Sequence, residues 1–304
     1  MAGKALYADS FTIRDLEGYD EFLEVRRIQQ AVWGFGDSGT GLYPPLLFTA
    51  SKNGGVVLGA FDQPGQMIGF IFSFLGREVG GPLKLCSQTM GVLPEWRGRG
   101  VATALKWAQR ERALAAGLSL ITWTFDPLES ANAWLNMGKL GAISRRYWRN
   151  IYGEHFGKLN EGLPTDRLLV EWWIRGDRVK EIAGSPRNRH EDKVGYAASA
   201  EVQTGDAILE VEGEGCQRRV VAFHAHLRSP YLSLEVPIDI QALKRSDVRL
   251  ARDWRLRVRE AFESYTERGY LVTDFIAWGQ GETRQNHYIL RQATDELVEW
   301  IGIG

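Results

Sequence analysis

Gln88-Thr89-Met90-Gly91-Val92-Leu93-Pro94-Glu95-Trp96-Arg97-Gly98-Arg99-Gly100-Val101-Ala102-Thr103-Ala104-Leu105-Lys106 decides how this chain is read. It opens with strand-forming residues, meets a proline stop, tightens into a loop with two glycines and runs on into a helix. Val101, Leu105 and Ala108 fall on one helical face, and Gly117 stands where a left-handed C-cap belongs. Such a loop aims unpaired backbone N–H groups, backed by the positive helix end, at one point. That is an anion site suited to a phosphate or diphosphate. Gly98 and Gly100 let the main chain approach the anion, and Arg97 and Arg99 add positive charge at the rim.

A dinucleotide fingerprint is the rival pattern, because Gly98-x-Gly100-x-x-Thr103 falls one glycine short of it and Asp126 follows the next strand. Three features oppose it. The third glycine is missing, several residues separate the strand from the first glycine, and the preceding chain reads as antiparallel hairpins. A plain structural turn is the bland alternative.

Working back toward the N-terminus, Phe11-Thr12-Ile13-Arg14 reads as an edge strand. Tyr19, Phe22, Leu23, Ile28 and Val32 recur at helical steps, which predicts an amphipathic helix over 17–32. Trp33 to Gly39 is an aromatic-bearing loop. Strands are expected at 54–61 and 67–74, joined by the turn Asp62-Gln63-Pro64-Gly65, and a third at 83–92. Beyond the organising helix, 118–125 is a buried strand stopped by Asp126-Pro127. Ser130 is the expected cap of a helix over 131–141, and strands follow near 142–152 and 167–173.

Arg97-Gly98-Arg99-Gly100-Val101-Ala102 matches the Arg/Gln-x-x-Gly-x-Gly/Ala signature of the GNAT acyltransferase superfamily. Gln88–Glu95 resembles that family's fourth strand, and the 131–141 helix with its Lys139-Leu140-Gly141 ending resembles its second motif. The resemblance implies an α/β (α+β) fold, a mixed, mostly antiparallel sheet flanked by helices. It also implies an acyl-CoA donor. Met90, Gly91 and Val92 would lie along the pantetheine arm, with an N–H near Gly91 facing the oxyanion. Arg97, Gly98, Arg99, Gly100, Val101 and Ala102 would hold the diphosphate, and Asn132 would touch the arm. Trp33, Phe35 and Tyr43 fall in the region that covers the acceptor. The tyrosine many members use as general acid is Met137 here, with Tyr147 and Tyr152 as substitutes. Asp126 and Glu129 are the candidate bases, against their bland reading as turn and cap residues.

Farther on, 175–195 is charged and without periodicity, and reads as a linker or exposed excursion. Strands at 207–212, 219–224 and 231–236, a helix over 246–268, and strands at 271–276 and 287–290 repeat the order of the first half. The expected division is residues 1–175 as the acyltransferase domain, 176–198 as linker and 199–304 as a degenerate GNAT-like copy. That copy's counterpart of the anion loop, 236–243, has no glycine, so one CoA site is expected. Arg249, Arg252, Arg255 and Arg259 read as a solvated helix face.

Composition sets the outer bounds. The 304 residues carry a net charge of −1, with 25% charged and 44% hydrophobic residues, which favours neither nucleic acid nor an anionic membrane as partner. Cys86 and Cys216 are far apart and fit a reduced cytoplasmic protein, with Cys86 read as a small buried apolar residue. No stretch suits a signal peptide or a membrane span, and no metal cluster is expected. The resemblance extends to a two-part group in which some members act in N-acylated amino acid metabolism. The implied donor is acetyl-CoA or succinyl-CoA and the implied acceptor a small-molecule amine, in a monomer built as a pseudo-dimer or in a homodimer. A non-catalytic acyl-CoA sensor or scaffold is the competing function.

Overall fold

The computed structural model describes residues 11–34, 41–153, 162–184, 205–279 and 281–303, without the side chains of Cys216 and Glu282. Phe35 therefore lies outside the described residues. The chain forms two compact units. The first runs to Trp123 and takes in Trp173–Arg175, and the second holds Thr124–Trp172, Gly176–Ile182 and the described residues from 205 on. Compactness thus groups the segment after Trp123 with the C-terminal part, whereas the family resemblance groups it with the N-terminal part.

In the first unit the order is β1 (Phe11–Asp15), α1 (Tyr19–Trp33), α2 (Pro44–Lys52), β2 (Val56–Asp62), β3 (Met67–Arg77), β4 (Leu83–Val92), α3 (Val101–Ala115) and β5 (Leu120–Phe125). Its strands lie in the order β1-β2-β3-β4-β5, antiparallel up to β4 and parallel between β4 and β5. The expected strands and the amphipathic helix are present, and Gly34 ends that helix in a left-handed cap. So is the Asp62–Gly65 turn, closed by Gly65 N–H to Asp62 O at 3.0 Å. Every residue of β2 from Val56 to Phe61 is buried, because helices cover both faces of this part of the sheet. Phe22, Val25 and Ile28 of α1 and Leu47 of α2 pack on Val57, Phe70 and Phe72, each contributing about 1.5–3 kcal/mol of burial. Helix α2 was hidden in the sequence because its Pro44-Pro45 start resembles a loop, although proline is at home in a first helical turn.

The second unit adds α4 (Ser130–Ala133), β6 (Ile143–Trp148), β7 (Arg167–Trp173), α5 (Asp177–Gly184), β8 (Asp206–Ala207), β9 (Leu209–Glu212), β10 (Arg219–Phe223) and β11 (Tyr231–Val236). It continues with α6 (Ile240–Ser246), α7 (Val248–Glu267), β12 (Tyr270–Trp278), β13 (Gln285–Gln292) and α8 (Asp295–Ile301). Its main strand order is β7-β6-β12-β13-β11-β8, and β9 and β10 form a separate hairpin. Both β11 and β12 run antiparallel to β13, so they are parallel to each other with β13 between them.

Several expectations are corrected here. Ser130 does not cap; Glu129 holds the cap position, and Ser130 Oγ donates to Pro237 O at 2.9 Å. The helix expected over 131–141 is α-helical for one turn and then a π-helix over Trp134–Lys139, a wide form often found at functional sites. The stretch taken for a linker contains α5. Its Arg178 is buried and donates to Gly141 O at 3.0 Å, Thr273 O at 2.6 Å and Asp274 at 2.9 Å, so its charge faces inward. The 236–243 segment starts a separate helix, α6, capped by Asp239 accepting from Ala242 N–H at 2.9 Å.

Candidate functional site

The organising stretch folds as read, with β4 ending at Val92, a short 3-10 turn at Pro94–Trp96, and α3 starting at Val101. The first main-chain bond of the helix is Ala104 N–H to Gly100 O at 2.9 Å. The amides of Val101, Ala102 and Thr103 precede it and have no helical acceptor, so they form the expected cluster of donors at the positive helix end. Gly98 and Gly100 both have positive φ, 72° and 81°, and a Cβ on either would meet open space. Both positions thus call for glycine on backbone conformation alone. Arg97 and Arg99 are exposed; Arg99 rests 5.0 Å from the Trp96 ring centre and Arg97 Nε lies 3.4 Å from Val92 O.

Strand β4 carries an open edge. It pairs with β5 only at Leu85–Ile121 and Cys86–Thr122, and from Ser87 to Val92 that edge carries no strand among the described residues. The cause is visible in the other ladder. Phe72 pairs with Thr89 but Ser73 with Ser87, so Gln88 is an extra residue, and this bulge bends β4 away. Leu93 N–H donates to Ile68 O at 2.9 Å. By the two-residue alternation of an antiparallel ladder, Gly91 also points to β3, while Met90 and Val92 aim their N–H and C=O groups at the open edge. The backbone N–H groups available at the open edge near Gly91 are thus those of Met90 and Val92.

Gly91 has another task. A Cβ there would stand 3.0 Å from Phe70, 3.2 Å from Trp33 and 3.4 Å from Ile28. Trp33 thus closes over the end of β4, edge-on to Phe70 with ring centres 6.4 Å apart, and is brought to the site. Tyr43 is 68% exposed at the start of α2. We expect Gly91→Ala to lower stability by about 1–3 kcal/mol through overpacking; a urea midpoint unchanged from wild type would refute it.

Beneath α3 lies a polar network that periodicity did not disclose. Lys106 is buried, its Nζ 2.9 Å from Ser87 Oγ, 3.3 Å from Gln109 Oε1 and 3.5 Å from the Trp123 ring centre. Gln109 Nε2 donates to Ser73 Oγ at 3.1 Å and Ser87 Oγ at 3.0 Å. Burial pushes the Lys106 ammonium pKa well down. The network ties α3 to β3 and β4, which sets where the helix start sits. Cys86 is a half-buried free thiol, 4.0 Å from Thr122 Oγ1, and not the fully buried residue expected.

In the second unit, Asp126 and Glu129 differ sharply. Asp126 Oδ1 accepts from Leu128 N–H at 2.9 Å, closing a turn, and Oδ2 accepts from Arg255 Nη2 at 2.5 Å with Arg167 Nη1 at 3.6 Å. Glu129 accepts from Gln241 Nε2 at 2.5 Å, and burial, only partly offset by that bond, raises its carboxyl pKa. Asn132 is exposed on the first turn of α4. Met137 is fully buried, so it is a core residue. Tyr147 is half-buried, its hydroxyl donating to Asp166 at 2.7 Å, and desolvation pushes its pKa far up; Tyr152 is 47% exposed. The arginine series is not a solvated face. Arg249 and Arg252 are exposed, but Arg255 is 1% exposed, and Arg259 grips Asp166 through two bonds of 2.8 and 2.9 Å.

An anion cradle at the end of an unpaired β-edge fits the fold that the sequence resembles. Residues 22–138 match the Acetyltransferase (GNAT) family model. Among curated proteins none matches it. Solved structures similar to it include yncA, a putative acetyltransferase of Salmonella typhimurium with acetyl-CoA: 16% identity, 54% of this chain, 94% of that one, TM-score 0.44. A GNAT-family acetyltransferase of Streptococcus pneumoniae is 16% identical over 53% of this chain and 98% of its own, TM-score 0.42. A phosphinothricin acetyltransferase of Sinorhizobium meliloti, in complex with acetyl-CoA, is 17% identical over 54% and 88%, TM-score 0.42. Among the described residues no helix is long and apolar enough to cross a membrane, and no metal-binding group of side chains is present.

Proposed function

We propose that this chain is an acyl-CoA-dependent N-acyltransferase that moves an acetyl or succinyl group to the amine of a small molecule, with an amino acid as the acceptor class. The observation that carries this is the row of amides at Val101–Thr103 that have no backbone acceptor among the described residues, set at the end of an open β4 edge. Residues 1–175 would form the catalytic domain and 199–304 a degenerate copy without a second CoA site.

When bound, acyl-CoA supplies an acyl group activated as a thioester. The residues present fit it. Val101, Ala102 and Thr103 N–H groups, with Arg97 and Arg99, would take the diphosphate. Met90 and Val92 would bind the arm as a further strand would, and one of their N–H groups would donate to the carbonyl oxygen. Both Asp126 oxygens are already engaged by internal donors, so the base falls to Glu129. Burial raises its pKa, which makes it a stronger proton acceptor than an ordinary glutamate. Thiolate is a good leaving group, and the buried Met137 is not required to protonate it.

With Glu129 as base, activity falls as pH drops, since protonation removes its acceptor lone pair, and the midpoint lies above the ordinary glutamate range. Glu129→Gln is expected to lower kcat about 10²–10⁴-fold, abolish that acid limb and leave CoA affinity unchanged. A variant that keeps the wild-type profile excludes Glu129.

The central test is free-thiol release from acetyl- or succinyl-CoA with a panel of amino acids. Release that depends on the acceptor supports the transferase. The buried methionine in place of the usual tyrosine favours a second reading, an acyl-CoA sensor or scaffold. CoA binding with no acceptor-dependent release would establish it.

A further inference from the structure

We infer that Lys106 and Gln109 of α3 and Ser87 of β4 are positioning residues for the donor. They lock helix to strand so that the diphosphate cradle and the open edge are spaced to hold one coenzyme A molecule at both ends. This role rests on the acyl-CoA reading above.

The two halves of the donor site lie on different elements. The amides of Val101, Ala102 and Thr103 open α3, whereas Met90 and Val92 end β4. The loop between them holds two glycines at positive φ, and glycine leaves the main chain its widest choice of conformations. Covalent connection alone therefore fixes the spacing weakly. Val101, Ala104 and Leu105 are buried under the helix, but apolar burial is non-directional. It sets the height of α3 over the sheet more firmly than its position along β4.

The polar network sets that position. Lys106 Nζ and Gln109 Nε2 both donate to Ser87 Oγ, at 2.9 and 3.0 Å. Lys106 Nζ also donates to Gln109 Oε1 at 3.3 Å, so the two helix side chains brace each other. Gln109 Nε2 reaches on to Ser73 Oγ at 3.1 Å, and that hydroxyl donates to Val56 O at 2.9 Å. All four side chains are buried, so water does not stand ready to replace a broken bond. A slide of α3 would leave their donors unsatisfied, a costly outcome for buried polar groups.

The lock also stands in the right place. Ser87 pairs with Ser73 and is the last residue of β4 before the extra residue Gln88. Strand β4 is still paired with β5 at Cys86, so the lock sits at the root of the open edge. From Ser87 to Met90 is about 10 Å of strand, and from Lys106 back to Val101 about 7.5 Å of helix. It thus serves both halves at similar range. A molecule that engages two points gains from the second only where the geometry lets both be met at once. The spacing therefore governs binding of the whole donor and leaves the affinity of either end alone.

The test compares CoA, followed by titration calorimetry, with ADP, which carries the diphosphate without the pantetheine arm and is followed by ligand-detected NMR at millimolar concentration. Ser87→Ala cuts the α3–β4 lock. Ser73→Ala removes another buried hydroxyl bonded to Gln109 but leaves the lock closed. Ser87→Ala is expected to weaken CoA by about tenfold or more and ADP by less than about threefold. Ser73→Ala should weaken CoA by less than about threefold, whereas serines with a merely structural role would give two variants that behave alike. A wild type that binds no CoA brings down the acyl-CoA reading itself. Where wild type does bind CoA, four results overturn the positioning role alone: no binding of ADP, full CoA affinity in Ser87→Ala, equal losses of CoA and ADP in that variant, or an equal loss of CoA in Ser73→Ala. If Ser87→Ala does not fold by circular dichroism, Lys106→Met, which keeps the length of the side chain without its donor, is judged by the same criteria.

Discussion

Gly100→Glu is expected to abolish CoA binding measurable by titration calorimetry while the chain still unfolds cooperatively. Two effects combine. Gly100 has φ 81°, so any side chain there pays the left-handed penalty of about 1–2 kcal/mol, a minority of the usual 5–15 kcal/mol of total stability. A Cβ at this place meets no atom within 4 Å, so no clash adds to it. The new carboxylate, however, stands beside the amides that would grip the diphosphate. Like-charge juxtaposition costs several kcal/mol, enough for a loss of about 100-fold or more. Gly100→Ala separates the two causes, since it carries the strain without the charge and should lose much less affinity. Equal affinity of Gly100→Glu and wild type would remove the anion cradle from the mechanism.

Arg259→Met is expected to lower stability by about 3–5 kcal/mol, the usual cost of stripping one partner from a buried ion pair. Asp166 has a fully buried side chain and would lose both guanidinium bonds, keeping only Tyr147 and Asn150 as donors. Arg249→Met, one of the exposed members of the same helix, should change stability by no more than about 0.5 kcal/mol. Chemical denaturation of the two variants side by side measures the contrast. Similar midpoints would mean that the Asp166 cluster adds nothing to stability.

What could be read in advance follows from how local the signals are. The β4–loop–α3 unit was legible because a proline stop, two glycines and a helical stripe lie within one short stretch, and each constrains the backbone on its own. The hairpin turn at Asp62–Gly65 and the Gly117 terminus, φ 79°, were legible for the same reason. The arginines of α7 were not. At positions 249, 252, 255 and 259 they share a helical spacing whether they face water or carboxylates, and only the tertiary fold brings Asp126 and Asp166 to two of them. The bulge at Gln88 was equally silent, since no residue type marks it, yet it sets which β4 amides face outward. The π-helix at 134–139 looks like any α-helix in sequence, because a wider turn needs no distinctive residue.

The strand wedged between β11 and β12 has a bearing on what the C-terminal half can become. β4 owes its usefulness to a gap beside it, whereas β13 fills the corresponding space and occupies the hydrogen-bonding edges of both neighbours from Tyr231 to Val236 and from Tyr270 to Trp278. Grafting glycines ahead of α6 would at most create a shallow perch for phosphate. No cleft would be left for a long thioester to thread, so converting this half into a second donor site would require deleting a whole strand.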